Sequence, residues 1–310
     1  MRFILQVALA WLLAACVAQA QAPPSPAGAT RKAVLVTGAS TGIGRKITER
    51  LAADGHFVYA AARKPQDLEA LGKLPNVQAV KIDVTSAGDI ADAVATITKA
   101  ERGLYGIVNN AGVGVRGTFQ ETTEEDMQYV MNINAYGPWR ITKAFAPLVI
   151  AEKGRIVTIG SISGILSGAS LGVYSMSKHA VEAYTDALAL QMAPLGVSVS
   201  VVEPGNYDSE IMRTAVARVG GNAKDGDRSQ YKPPDEVAAS VAQALFEATP
   251  KRRYMTVPDA REGEITIRKA IEELVQLNEG HAYTYDRAAL VGLLDEALAS
   301  ARPKPPLGKP

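Results

Sequence analysis

The chain is poor in the residues that bind metals and form disulfides. It has one cysteine, Cys16, and three histidines, His56, His179 and His281, far apart in sequence. A single cysteine excludes an intrachain disulfide, and the scattered histidines offer no metal-ligand cluster. Charge of one sign is also missing. With 33 basic and 32 acidic residues the net charge is +1. No basic surplus points to nucleic acid, and no acidic tail points to a cationic partner. What is present is a long chain, 310 residues with 47% hydrophobic side chains, enough for one sizeable core.

The N-terminus stands apart. Arg2 precedes an apolar run from Phe3 to Ala18 that only Gln6 interrupts. Ala18-Gln19-Ala20 fits the small-x-small site of a secretory signal peptide over residues 1–20. Leu13-Ala14-Ala15-Cys16 also resembles a bacterial lipoprotein leader, which would make Cys16 the lipidated first residue of the mature chain. The run is shorter than the ~20 residues of a spanning helix, although it could serve as an uncleaved membrane anchor. The expectation is export or tethering in a bacterial cell envelope. A start codon set upstream of a cytoplasmic enzyme is the rival reading. Arg2 is the segment's only arginine, so a twin-arginine signal is not supported. Residues 21–30 read as a linker stiffened by Pro23, Pro24 and Pro26, and residues 301–310 as a loose tail.

Between them the pattern alternates. Short apolar runs at 33–37, 57–61, 77–82, 106–109, 155–159, 197–202 and 254–257 read as buried strands. Helical stretches fall between them. Ser86 with Asp89, and Thr123 with Asp126, have the spacing of helix-opening capping boxes. The second of these opens a long helix towards Ile150. Alternating strands and helices predict an α/β fold: one doubly wound, Rossmann-type domain over residues 31–300, with a mainly parallel sheet of about seven strands.

Thr37-Gly38-Ala39-Ser40-Thr41-Gly42-Ile43-Gly44 follows the first strand and opens a helix. Glycines let the backbone approach a pyrophosphate, and the helix N-terminus supplies N–H donors. The spacing G-x-x-x-G-x-G differs from the more familiar G-x-G-x-x-G. Ala60-Ala61-Ala62-Arg63 ends the second strand without the carboxylate that an NAD site places there. A guanidinium in that position suits a 2′-phosphate, so NADP(H) is favoured over NAD(H).

Tyr174-Ser175-Met176-Ser177-Lys178 puts a phenol and an ammonium on one helix face. A free phenol, pKa about 10, is a poor acid-base catalyst at neutral pH. A nearby cation lowers that value, and reaching 7 requires about 4 kcal/mol. Ser161 lies thirteen positions upstream of Tyr174, in Gly160-Ser161-Ile162-Ser163-Gly164.

Together these motifs resemble the short-chain dehydrogenase/reductase family, over roughly residues 31–260 and most like its hydroxysteroid and retinol dehydrogenase branch. The resemblance implies hydride transfer between a nicotinamide and a secondary alcohol or ketone, steroid-, retinoid- or lipid-like. It implies Tyr174 as general acid/base, Lys178 as its electrostatic partner and holder of the nicotinamide ribose, and Ser161, rather than Ser163, on the substrate oxygen. Asn134 would be the fourth member of the set. Pro138 has no N–H for the Asn134 carbonyl four residues back, so a kink is expected there, with a water held on the path to Lys178. The cofactor would lie on Gly38, Ser40, Thr41, Gly42, Ile43, Gly44 and Arg63. Asp83 and Val84 would follow at the adenine, then Asn110, Ala111 and Gly112 of Asn-Asn-Ala-Gly. Pro204, Gly205 and Ser209, in Glu203-Pro-Gly-Asn-Tyr-Asp-Ser209, would sit beside the nicotinamide. Ile211 to Lys232, rich in glycine and charge, would be a mobile lid, and Ile265 to Leu298 would be helical, closing the pocket or contacting a partner subunit. Relatives are commonly dimers or tetramers, so a homodimer or homotetramer is expected. Two other functions compete: a cofactor-binding regulatory protein without turnover, and an epimerising or carbon–carbon reaction on a nucleotide sugar.

Overall fold

The computed structural model describes residues 31–220 and 226–301. The expected leader at 1–20, the linker at 21–30 and all but the first residue of the tail lie outside the described residues. Among the described residues no helix is long and apolar enough to cross a membrane.

Seven strands form one wholly parallel sheet. They are β1 (Ala33–Thr37), β2 (Phe57–Ala62), β3 (Val77–Lys81), β4 (Gly106–Asn109), β5 (Arg155–Ile159), β6 (Ser198–Pro204) and β7 (Arg253–Thr256). Their order is β3-β2-β1-β4-β5-β6-β7, so the winding reverses between β1 and β4. In such a sheet the crevice at the reversal, beyond the strands' carboxyl ends, is where ligands bind.

Strand side chains alternate between two cores. Leu35, Tyr59, Ile107 and Ile156 enter one, where Phe145 and Val149 meet them. Val34, Val36, Val58, Val108 and Val157 enter the other, with Leu51 and Leu245. Both faces are covered, which is why these strands read as unbroken apolar runs.

Helices fill the connections: α1 (Gly42–Ala53), α2 (Pro65–Gly72), α3 (Ala87–Lys99), α4 (Glu124–Asn134), α5 (Tyr136–Ala151), α6 (Gly172–Met192), α7 (Glu210–Arg218), α8 (Asp235–Phe246), α9 (Ala260–Asn278) and α10 (Arg287–Ala301). Thr123 and Asp126 make the full reciprocal capping box of α4. The α3 cap is only half of one. Ser86 accepts from the Asp89 N–H, but the Asp89 carboxylate turns to the Asp83 N–H instead (3.0 Å). The long helix expected from Thr123 to Ile150 is two helices. They break at Ala135, where Pro138 withholds the donor that would carry the ladder past Asn134.

Candidate active site

The glycine turn between β1 and α1 is held tightly against the segment that follows β4. Asn110 Nδ2 donates to the Thr37 and Gly38 carbonyls at 2.9 and 3.0 Å. Thr37 Oγ1 accepts from the Asn110 and Ala111 N–H groups. There is no room for side chains in between. A Cβ on Gly38 would stand 2.8 Å from Ala111 Cα, and one on Gly44 would run into the Gly38 carbonyl and Asn110 Nδ2. Gly38 and Gly42 also adopt positive φ, +65° and +52°, which glycine accepts without strain. The α1 N-terminus, with no acidic residue in its first turn, opens towards the same crevice. This is a cradle shaped for a phosphate group.

Along one wall, Arg63 and Asp83 face each other at 3.7 Å. Burial pushes Asp83 upward, but hydrogen bonds from Thr85 and the Arg63 charge outweigh it and hold the carboxyl below its usual range. Asn109, beside Asn110, points the other way and donates to Thr142 Oγ1 at 3.1 Å.

The cradle opens into a cavity of about 810 Å³ that also contains Ser161, Tyr174 and Lys178. Ser161 follows β5 directly, while Tyr174 and Lys178 lie one turn apart in the first half of α6. Lys178 is buried, and its Nζ donates to the Ile159 carbonyl at 2.8 Å. It stands 5.6 Å from the centroid of the Tyr174 ring. The Tyr174 hydroxyl is hydrogen-bonded with Ser161. Ser161 Oγ in turn accepts from the Ser163 N–H (3.0 Å) and lies 3.4 Å from the Pro204 carbonyl. Ser163 thus anchors Ser161.

The electrostatics differ from the expectation of a phenol drawn towards neutrality by its lysine. Burial pushes Tyr174 up to about 12, and the Ser161 hydrogen bond and the charge of Arg228 offset only part of that. Burial also brings Lys178 down to about 8, against the attraction of Glu182. Desolvation dominates because the pair is sealed from water on all sides but the cavity.

Asn134 does not line the cavity. Its side chain exchanges hydrogen bonds with the Val113 backbone and donates to Ser177 Oγ (3.0 Å), which donates to the Tyr174 carbonyl. Pro204, Gly205 and Ser209 line the cavity, as do Thr41, Gly42, Ile43, Val84 and Gly112. The segment expected to be a mobile lid is helical over Glu210–Arg218, and Ile211 and Met212 of α7 line the cavity. Residues 221–225 of that segment lie outside the described residues. From the C-terminal region, Ile265 and Lys269 of α9 also reach the cavity.

The contacts of Asn206 had no signal in the sequence. Asn206 ties its N–H and Nδ2 to the Glu262 carboxylate (2.8 and 2.7 Å) and accepts from Arg228 (3.0 Å). Asp259 and Glu262 have capping-box spacing at the start of α9, and Asp259 does cap Glu262 N–H. The Glu262 carboxylate instead crosses to Asn206, a contact that local spacing does not encode.

Residues 32–219 match the short chain dehydrogenase family. The chain belongs to that family. Among curated short-chain dehydrogenases it is similar to a 3-ketodihydrosphingosine reductase of Bacteroides thetaiotaomicron, 37% identical over 177 residues. That match covers 57% of the chain and 64% of the reductase. It is similar also to the mitochondrial D-beta-hydroxybutyrate dehydrogenase of Bos taurus, 36% identical over 186 residues, or 57% of the chain and 54% of the relative. The chain thus spans about half to two thirds of the length of these relatives. Among solved structures, a short chain dehydrogenase from Burkholderia cenocepacia in complex with NADP is 26% identical. It superposes with a TM-score of 0.66, covering 79% of this chain and 95% of that one.

Proposed function

We propose that this short-chain dehydrogenase is an NADP(H)-dependent oxidoreductase acting on a secondary alcohol or its ketone. One observation carries the reading: Ser161, Tyr174 and Lys178 meet in the cavity that the glycine cradle opens into. The cradle fits a nicotinamide dinucleotide: its glycines let the turn close against Asn110, and the α1 N-terminus, with no acidic residue in its first turn, faces the crevice. Gly38 to Gly44 would hold the pyrophosphate, Arg63 a 2′-phosphate, Asp83 and Val84 the adenine side, and Pro204 with Gly205 the nicotinamide side. When bound, the cofactor supplies or accepts the hydride.

The rest is done by side chains. Ser161 hydrogen-bonds the substrate oxygen and orients it to the phenol. A phenol held near 12 stays protonated at neutral pH, so Tyr174 is set to give a proton to a carbonyl oxygen. Lys178, near 8, is charged at neutral pH and stabilises the phenolate that remains. Its proton is the nearest replacement. The relatives' names support the substrate class, one being a reductase of a keto compound and the other a dehydrogenase of a hydroxybutyrate. The NADP complex of the Burkholderia cenocepacia protein supports a nicotinamide cofactor, and the exposed Arg63 beside the cavity supports the NADP(H) form.

The test is oxidation of NADPH and NADH by the purified chain against a panel of ketones and aldehydes, beside Tyr174→Phe. Expected are turnover with NADPH, loss of at least about 1,000-fold in Tyr174→Phe, and unchanged NADPH binding. NADPH binding with no turnover on any carbonyl would overturn the reading and favour a regulatory protein.

A further inference from the structure

The cavity holds several cations, and most are already answered. Lys269 donates to Glu273 at 2.5 Å, Arg63 faces Asp83, and Lys178 is bound to the Ile159 carbonyl. Arg228 is different. It lines the same cavity, yet among the described residues no carboxylate pairs with it. Its Nε–H is buried and has no acceptor there.

The guanidinium is nevertheless held in place. One terminal nitrogen donates to Asn206 Oδ1 (3.0 Å), and the group lies over the Tyr231 ring, 4.3 Å from its centroid. Asn206 is itself fixed by two hydrogen bonds to Glu262. The positioning chain Glu262–Asn206–Arg228 leaves donors of a planar five-donor fork unspent among the described residues. Arg228 is also close enough to Tyr174 for its charge to be felt at the phenol. Leu166, Ile211, Met212 and Ile265 give the same cavity an apolar lining. A half-buried guanidinium with no carboxylate partner among the described residues has charge to spare, and its fork is matched by a planar or tetrahedral oxyanion.

We propose that Arg228 is the anchor of a substrate oxyanion, so that the substrate is a ketone or secondary alcohol with a carboxylate, sulfonate or phosphate a few bonds from the reacting carbon. The proposal rests on the hydride-transfer reading above. The apolar lining takes the remainder of such a molecule, and the anchor selects which side of the carbonyl faces the cofactor. Arg228 then sets specificity, while Ser161 and Tyr174 do the chemistry.

The test compares matched probes in the purified chain: 3-oxohexanoate, 2-oxopentane-1-sulfonate and neutral methyl 3-oxohexanoate, with NADPH. Each is run on wild type, Arg228→Met and Arg228→Lys, and NADPH affinity is measured separately by fluorescence. The wild type should prefer an anionic probe. Arg228→Met should lose about 100-fold in kcat/KM on it, chiefly through KM, with the neutral ester changed less than about threefold. Arg228→Lys, which keeps the charge but not the fork, should recover part of the loss. The carboxylate and sulfonate arms show which oxyanion fits. An equal loss on charged and neutral probes, or a fall in NADPH affinity that matches the loss in turnover, would overturn the proposal. So would turnover of other carbonyls with no preference for either anion. Absence of turnover on any carbonyl would instead remove the hydride-transfer reading beneath it.

Discussion

Asn134 and Val113 exchange two hydrogen bonds, each 2.9 Å: the Val113 N–H donates to Asn134 Oδ1, and Asn134 Nδ2 donates to the Val113 carbonyl. A side chain here takes the place of a missing strand partner. It fixes the segment that leaves β4 and, through Ser177, the first turns of α6 that carry Tyr174.

Replacing Asn134 by alanine leaves a buried N–H and carbonyl of Val113 without partners, at about 1–3 kcal/mol each. Asn134→Ala is therefore expected to lose about 2–6 kcal/mol of stability in urea titrations. Its activity should fall at temperatures where it is still folded. Asn134→Asp keeps the acceptor and loses the donor, and should fall between the two. Wild-type stability in Asn134→Ala would mean that the loop holds itself.

Lys178 gives stability a distinct pH dependence. Its folded value, near 8, lies below the 10.5 of a free lysine, so the unfolded chain binds more protons between those limits. The burial cost is complete below pH 8 and vanishes as pH rises towards 10.5. The unfolding free energy should thus climb by about 3 kcal/mol across that window, less whatever Tyr174, shifted the opposite way, removes above pH 10. Lys178→Met should lack the climb between pH 8 and 10. Identical slopes in the two proteins over that interval would place the ammonium in water.

Glu203, at the end of β6, behaves in the opposite sense. Burial and the neighbouring Glu182 raise its carboxyl well above the usual range, and Arg253, 3.5 Å away, offsets only part of this. A carboxyl raised on folding adds stability at low pH that is lost as pH rises through neutrality. Glu203→Gln should flatten the stability profile between pH 5 and 8 and stabilise the protein at pH 8 by about 1–3 kcal/mol. Calorimetry at pH 5 and 8 reads the difference. A variant less stable at both values would show that the carboxylate is the form the fold needs.

Arg63 is exposed, with 57% of its side chain accessible, and its contact with Asp83 is the weak kind made at surfaces. It is free to turn to a phosphate. Arg63→Asp should shift the NADPH/NADH ratio of kcat/KM by about 10- to 100-fold towards NADH. An unchanged ratio would remove the basis for the NADP assignment.

At Gly44 a methyl group has nowhere to go, because the Gly38 carbonyl and Asn110 Nδ2 occupy its place. Gly44→Ala should cost about 1–3 kcal/mol and weaken cofactor binding by tenfold or more in a fluorescence titration. Gly72→Ala, with open space around its Cβ, serves as the control.

What the sequence made legible was what it encodes locally. Gly38, Gly42 and Gly44 announce a turn because backbone geometry demands them, and Tyr174 with Lys178 share a face because a helix has a fixed period. The strands were legible because burial on both faces leaves unbroken apolar runs. Contacts that cross the fold were not. Ser86 and Thr123 have the same capping spacing, yet Asp89 deserts its cap for Asp83 while Asp126 does not. Arg228 lies in a stretch of glycine and charge that reads as a mobile lid, with nothing to single it out. It becomes a cavity residue only because Asn206 and Tyr231 happen to stand beside it. Tyr174 and Lys178 share one face of α6, with Lys178 Nζ 5.6 Å from the ring centroid, but the direction of their shifts depends on how completely the fold excludes water, which spacing does not record.

The sheet order has a consequence for how the protein is made. β3, β2 and β1 can zip together as soon as residue 81 has left the ribosome, whereas the other edge of β1 must wait for β4. The chain therefore grows outward in one direction, returns to its first strand and grows outward in the other. The glycine cradle and Asn110 lie on opposite banks of that seam. A dinucleotide laid across it would fasten the early half of the nascent chain to the late half, so cofactor supply during synthesis should raise the yield of folded protein.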